Sequence, residues 1–244
     1  MSRSGVAFAT SRSADSLPPL PDMTDIDHAN AVDLSHVIEA GMITYRGLPA
    51  PIMCDFLSRE ASNAVYAPGT EFQIGTIEMV GNTGTYLDSP FHRYADGTDL
   101  AGLALASLAN LDCVVVDCTA MGRAIDVLPL TPADVAGRAV LIRTGWDRHW
   151  RTDQYYEQHP HLTARSAAWL VESGATVVGI DSFNIDCIDT GERPVHTTLL
   201  GAGIPIVEHL TGLMQLPARG ARFFAVPPKI RAFGTFPVRA FALL

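Results

Sequence analysis

Residues 163–181, TARSAAWLVESGATVVGID, decide the fold class. Thr163 is placed to cap a helix, because its hydroxyl can accept a first-turn backbone N–H. Ala164, Ala167, Ala168 and Val171 then recur at three- and four-residue spacing as one apolar stripe. Gly174 is suited to end that helix, since it tolerates the left-handed backbone that helix termini adopt. The strand run Thr176–Asp181 follows almost at once, with Val177, Val178 and Ile180 contiguous enough to be covered on both faces. A helix leading directly into a strand is the unit of α/β packing.

Working outward, similar apolar runs occur at Cys113–Asp117, Ala139–Arg143 and Arg222–Val226. A fourth, Ile204–Val207, carries Pro205, which confines it to a sheet edge or a strand start. The Ala- and Leu-rich stretch Leu100–Ala109 predicts a second helix. The expected architecture is α/β: one domain over residues 31–244, with a mixed sheet and flanking helices. Residues 1–30 are rich in Ser, Pro, Asp and Ala without a period, and read as a tail or an oligomerisation arm.

Composition narrows the function. Seventeen Lys and Arg against 26 Asp and Glu leave a net charge of −9, which repels a polyphosphate, so no nucleic-acid partner is expected. No run approaches the roughly 18 to 20 apolar residues of a membrane helix, and the N-terminal VAFA is too short for a signal peptide. Cys54, Cys113, Cys118 and Cys187 form no CxxC pair and read as free, buried thiols. A cytoplasmic protein is the resulting expectation.

Two segments carry chemistry. GNTGTYLDSPFHR (81–93) sets Asn82, Tyr86, Asp88 and His92 around Gly84 and Pro90, the composition of a rigid loop that displays polar groups. PVHTTLLGAGIPIVEH (194–209) places His196 before an apolar stretch and Glu208 at the end of an apolar strand. Other polar residues read as structural. His149, His159 and His161 lie in WDRHWRTDQYYEQHPHL (146–162), expected at the surface, and His209 is expected to point away from Glu208. Asp181, Asp186 and Asp189 follow a strand and read as capping groups, and the GAG at 201–203 is too short for a dinucleotide fingerprint.

Together the two segments resemble the putative cyclase, or bacterial kynurenine formamidase-like, metal-dependent hydrolases, whose motif runs H-x-G-T-H-x-D-x-P-x-H. Gly84, Thr85, Asp88, Pro90 and His92 match it, and the later His and Glu of that family match His196 and Glu208. The resemblance extends to Ile142–Trp146, Gly179–Ser182 and Pro237–Ala240. It implies a swivelling β/β/α-type fold, a homo-oligomer (dimer or tetramer) and metal-assisted hydrolysis. In such enzymes two histidines and the aspartate hold one metal; the aspartate, the later histidine and the glutamate hold another.

This chain departs from that pattern at the first set, where Asn82 and Tyr86 replace both histidines. An amide oxygen is a weak ligand, and a phenol binds metal well only when ionised. The implied site is therefore one divalent ion, Zn2+ or Mn2+, on Asp88, His196 and Glu208, or none at all. His92 takes the acid/base role, and Tyr86 and Asn82 are free to donate to a developing oxyanion. Tyr45 and Trp146 would wall a planar substrate. The expected reaction opens an amide, cyclic amide or lactone bond. Two alternatives stand beside it: a metal-free cyclase, lyase or isomerase using Tyr86 and His92, and a catalytically inactive binding protein.

Overall fold

The apolar runs form the parallel centre of a nine-stranded sheet in the computed structural model, which describes residues 30–244. The tail or arm expected over residues 1–30 lies, but for Asn30, outside the described residues. In chain order the elements begin with β1 (Ala31–Asp33), β2 (Ile52–Leu57), α1 (Arg59–Ser62), β3 (Ile74–Glu78), β4 (Tyr86–Asp88) and β5 (Leu111–Asp117). There follow β6 (Ala124–Ile125), α2 (Pro132–Val135), β7 (Ala139–Arg143), β8 (His161–Leu162), α3 (Ala164–Glu172) and β9 (Val177–Ile180). The chain closes with α4 (Pro194–Gly201), β10 (Ile206–Glu208), β11 (Arg219–Phe224), β12 (Thr235–Pro237) and β13 (Phe241–Leu243).

The sheet order is β1-β13-β11-β5-β7-β9-β10-β4-β12. β5, β7, β9 and β10 are mutually parallel, and the remaining neighbours pair antiparallel, so the sheet is mixed and the fold α/β. Its centre is covered on both faces. Alternate residues Val140 and Ile142 pack with Leu170, Leu199 and Leu200 on one side, while Leu141 joins Leu34, Leu87, Leu210 and Phe223 on the other. Two-sided burial is the reason these strands read as unbroken apolar runs.

Helix α3 starts as its sequence predicts. The Thr163 side chain accepts from Ser166 N, and Gly174 adopts φ +76° just beyond the end. The helix predicted over Leu100–Ala109 is corrected: only a 3-10 turn forms, at Leu105–Ser107. The Asp99 carboxylate accepts from Gly102 N and from Ala232 N, holding the start of the stretch in a turn. Leu100 and Leu108 reach the core from that irregular path. All four cysteines are free, but Cys54 is exposed and Cys187 half-buried, so burial holds for Cys113 and Cys118 alone.

The segment 146–162 is also corrected, from surface to partly buried. Tyr155 is fully buried, and His159 and His161 are buried as well, whereas His149 is half-buried. Aromatic rings draw the segment inward. Trp150 stacks on His36 with centroids 3.9 Å apart, and the Tyr155 hydroxyl lies 2.8 Å from His209 Nδ1. Burial pushes the His159 pKa down to about 4, against a smaller opposing contribution from the Pro160 carbonyl. A histidine held neutral in this way stabilises the fold in full above its unfolded pKa near 6.5, and that stability is lost as pH falls towards about 4. The ceiling is about 3 kcal/mol for this residue. His159→Gln is accordingly expected to flatten the fall in Tm between pH 6.5 and 4, measured by scanning calorimetry. Among the described residues no helix is long and apolar enough to cross a membrane.

Candidate active site

Three strands and one helix end converge on a buried acidic cluster. In β4 the two-residue period puts Tyr86 and Asp88 on the same side, while Leu87 enters the core. β10 runs antiparallel beside β4, with Glu208 opposite Tyr86 and Ile206 opposite Asp88. On the other flank β12 places Thr235 opposite Asp88. His196 comes from the first turn of α4, two residues after Pro194. Pro194 suits a helix start because its missing N–H would have no partner there.

These elements bring Asp88, His196 and Glu208 together, with one ligand atom from each lying within 4.8 Å of the others. His196 Nε2 stands 3.6 Å from Asp88 Oδ2 and 3.8 Å from Glu208 Oε1. Its other nitrogen, Nδ1, is 2.7 Å from Asp186 Oδ2. The same Asp186 carboxylate accepts the backbone N–H groups of Val195 (2.8 Å) and His196 (2.9 Å). Asp186 is thus a capping group, as its sequence context suggests, and it also orients an imidazole. With Nδ1 bonded to Asp186, Nε2 is the nitrogen that faces the two other carboxylates.

The electrostatics call for a cation. Asp88, Asp186 and Glu208 are all buried. Burial acts against a charged His196, but the bond to Asp186 and the nearby Asp88 and Glu208 carboxylates outweigh it and raise its pKa to about 10. Burial likewise raises the Glu208 pKa, with the His196 charge opposing and Asp88 adding to the rise. Asp88 Oδ2 is buried with no hydrogen-bond partner among the described residues. An orphaned carboxylate oxygen, an imidazole nitrogen facing it and a second carboxylate form a donor set that suits a divalent metal ion.

Tyr86 occupies the neighbouring space as a neutral phenol. Its hydroxyl donates to Glu208 Oε2 at 2.5 Å, and burial, reinforced by the Glu208 charge, drives its pKa well above the ordinary value. The hydroxyl expected to serve an oxyanion is therefore committed to Glu208. Tyr45 joins the same network: its hydroxyl lies 3.3 Å from Glu208 Oε2 and 3.0 Å from the Phe183 carbonyl, and it accepts from Asn184 Nδ2 at 2.7 Å. Glu208 Oε1 takes the Ile185 N–H at 2.7 Å. Both oxygens are held, and Oε1 remains the one near His196.

A cavity of about 730 Å³ opens onto this cluster, lined among others by Tyr45, Asn82, Tyr86, His92, His196 and Glu208. Trp146 is not part of that lining, so its expected place as a substrate wall is corrected. Its indole N–H donates to the Tyr155 carbonyl at 3.0 Å, which ties down the turn beneath. His209 follows Glu208 with φ +55° and faces the aromatic layer, in keeping with a structural role. Sequence reasoning missed Asn184 and Thr235. Thr235 bonds Asp88 Oδ1 and lies 2.7 Å from His92 Nδ1, and only strand register could have revealed it.

Residues 32–187 match the model of a family described as putative cyclase. A kynurenine formamidase of Erythrobacter litoralis is 30% identical over 166 residues, spanning 66% of this chain and 73% of that protein. Among solved structures, isatin hydrolase A from Ralstonia solanacearum aligns with a TM-score of 0.71 at 21% identity, covering 88% of this chain and 91% of its own. A potential metal-dependent hydrolase with cyclase activity aligns with a TM-score of 0.68 at 24% identity, covering 87% and 96% respectively. At these identities the two structures speak for the fold.

Proposed function

Since the chain belongs to the putative cyclase family, we propose that it is a metal-dependent hydrolase that opens a non-peptide amide, cyclic amide or lactone bond of a small aromatic substrate. The observation that carries this reading is the buried Asp88–His196–Glu208 cluster, with its unpartnered Asp88 oxygen, beside His92 in one cavity. The kynurenine formamidase relative supports the C–N bond and the aromatic substrate. A single zinc or manganese ion held by Asp88, His196 and Glu208 would supply Lewis-acid polarisation of the carbonyl and a lowered pKa for water.

The protein's own groups have separate tasks. His92 takes the proton of the attacking water and returns it to the leaving nitrogen as the C–N bond breaks. Asn82, at the cavity wall, offers an amide N–H to the developing oxyanion. Tyr86 and Tyr45 grip Glu208 Oε2 and fix that carboxylate, and the Tyr45 ring gives the substrate an aromatic edge. A metal-free cyclase, lyase or isomerase would need Tyr86 as a proton-transfer partner, a role at odds with its commitment to Glu208.

The test is turnover of a panel of N-aryl formamides, aromatic cyclic amides and aryl lactones by the purified protein. Hydrolysis should be lost on exhaustive chelation and restored by Zn2+ or Mn2+. Undiminished turnover after chelation, or none on any member of the panel, would reject the proposal.

The same reading places residues 31–244 as a catalytic domain in a cytoplasmic homo-oligomer. Free cysteines support the reducing compartment. The hairpin β2–β3 supports self-association. Among the described residues it pairs with no strand of the main sheet, and Phe56 and Ile77 are 79% and 57% exposed. Apolar side chains exposed on one hairpin mark a contact surface. Phe56→Glu combined with Ile77→Glu is expected to reduce the mass measured by light scattering to that of one chain. An unchanged oligomer would exclude this arm as the interface.

A further inference from the structure

We infer that Thr235 is a positioning residue that fixes which ring nitrogen of His92 carries the hydrogen; the inference rests on reading His92 as the acid/base group. Thr235 is buried on β12, directly opposite Asp88 of β4. Its Oγ1 bonds Asp88 Oδ1 and stands 2.7 Å from His92 Nδ1. The direct separation of His92 Nδ1 from Asp88 Oδ1 is 3.7 Å, too long for a hydrogen bond. The hydroxyl bridges that gap.

Proton counting settles the direction of each bond. A threonine hydroxyl has one hydrogen, and an ionised carboxylate can only accept. The hydroxyl therefore donates to Asp88, and its oxygen accepts from His92 Nδ1–H. A neutral imidazole has one N–H, so Nε2 is left as a lone pair. His92 lines the cavity, and Nε2 is the nitrogen available there to take a proton from water. Once Nε2 is protonated, the ring is a cation linked to the Asp88 charge through the Thr235 hydroxyl. When Nε2 returns the proton to the leaving nitrogen, the starting tautomer is restored.

The backbone holds this bridge without slack. Ser89 N donates to the Gly234 carbonyl at 2.7 Å. A Cβ at Gly234 would meet His92 N at 2.5 Å and His92 Cα at 2.6 Å, so the strand carrying Thr235 packs directly on the turn carrying His92. Only glycine permits that approach. The link between Asp88 and His92 thus passes through Thr235.

The experiment compares Thr235→Val, which keeps shape and removes the hydroxyl, with Thr235→Ser, which keeps the hydroxyl. In the zinc-loaded protein, Thr235→Val should lower kcat roughly a hundredfold, with KM and metal content unchanged, and Thr235→Ser should restore most of it. A second readout is the 15N spectrum of the histidine rings at a pH where His92 is neutral, with the His92 signals assigned by their loss in His92→Gln. Wild type and Thr235→Ser should show hydrogen on Nδ1, and Thr235→Val should shift the ring towards Nε2–H. A wild-type His92 with hydrogen on Nε2, or a Thr235→Val enzyme with kcat within threefold of wild type, would overturn the inference. If no amide or lactone is turned over, the proposed function fails, while the spectra still decide the tautomer. If Thr235→Val does not fold, the wild-type and Thr235→Ser spectra decide it.

Discussion

Replacing Asp88 with asparagine is expected to remove the bound divalent metal and at least ~10³-fold of the hydrolytic rate, about 4 kcal/mol of transition-state stabilisation. The substitution keeps volume and shape, so the change isolates charge. Asp88 Oδ1 is taken by the Thr235 hydroxyl, and Oδ2 is the buried oxygen with no partner. If the asparagine oxygen keeps the Thr235 bond, an NH₂ group stands where the ligand oxygen was, 3.6 Å from His196 Nε2. If the amide is turned the other way, its oxygen is a neutral, weaker ligand and the NH₂ meets the Thr235 hydroxyl. Neither orientation supplies both a bond to Thr235 and an anionic donor. Elemental analysis should show metal falling from about one equivalent per chain to near none. Added Zn2+ or Mn2+ should raise the Tm of wild type and leave that of Asp88→Asn unmoved, because only a site that binds can shift the folding equilibrium. Retention of the metal with full activity would remove Asp88 from the ligand set.

How much of this was visible beforehand differs between scaffold and site. Strand β7 has the bounds that its apolar run gives, and β9 lies inside the run Thr176–Asp181, because strands covered on both faces leave a continuous signature. Leu100–Ala109 has the composition of a helix, but a neighbouring polar side chain competes for its backbone. Asp99 holds two backbone N–H groups in a turn, and the leucines reach the core without a helix. His159 and His161 misled in the other direction. A histidine is polar in composition yet packs as a neutral ring when aromatic neighbours exclude water, and His159 sits among His161 and Phe183.

In the site, Asp88 and His92 lie four residues apart in the sequence and could be noticed together. His196 and Glu208 were tied to them only by a family resemblance, and the pairing of β10 with β4 supplies the physical reason. Thr235 is an ordinary threonine in the sequence; its importance comes from a strand register joining positions 147 residues apart. Asp186 offered a fainter signal. An acidic residue shortly before a proline-started helix suggests a cap, but nothing local indicates that the same carboxylate also reaches an imidazole.

That double duty makes Asp186 the second position where a large effect is expected. Asp186→Ala removes the acceptor for the Val195 and His196 N–H groups, which should weaken the start of α4 by about 1 kcal/mol. It also frees the His196 ring from its orienting bond, and losing such a partner weakens metal affinity about 10- to 100-fold. The pH dependence separates these two effects. In wild type the bond to Asp186 is among the causes that hold the His196 pKa up at about 10, so without metal the ring is protonated at neutral pH. Its contribution to the stability of the metal-free fold is present in full below the unfolded value near 6.5, and is lost as pH rises through about 10. Metal must displace that proton, so wild-type affinity should rise by up to about tenfold per pH unit between pH 7 and 9, with one proton released per ion bound. Without Asp186 the ring gives up its proton more readily, and the rise should shift to lower pH and flatten across the same interval. Calorimetric titration with Zn2+ in buffers of different ionisation enthalpy measures both affinity and proton release. A variant whose affinity falls but whose pH profile stays parallel to wild type would mean that Asp186 acts through the helix alone, not through the imidazole.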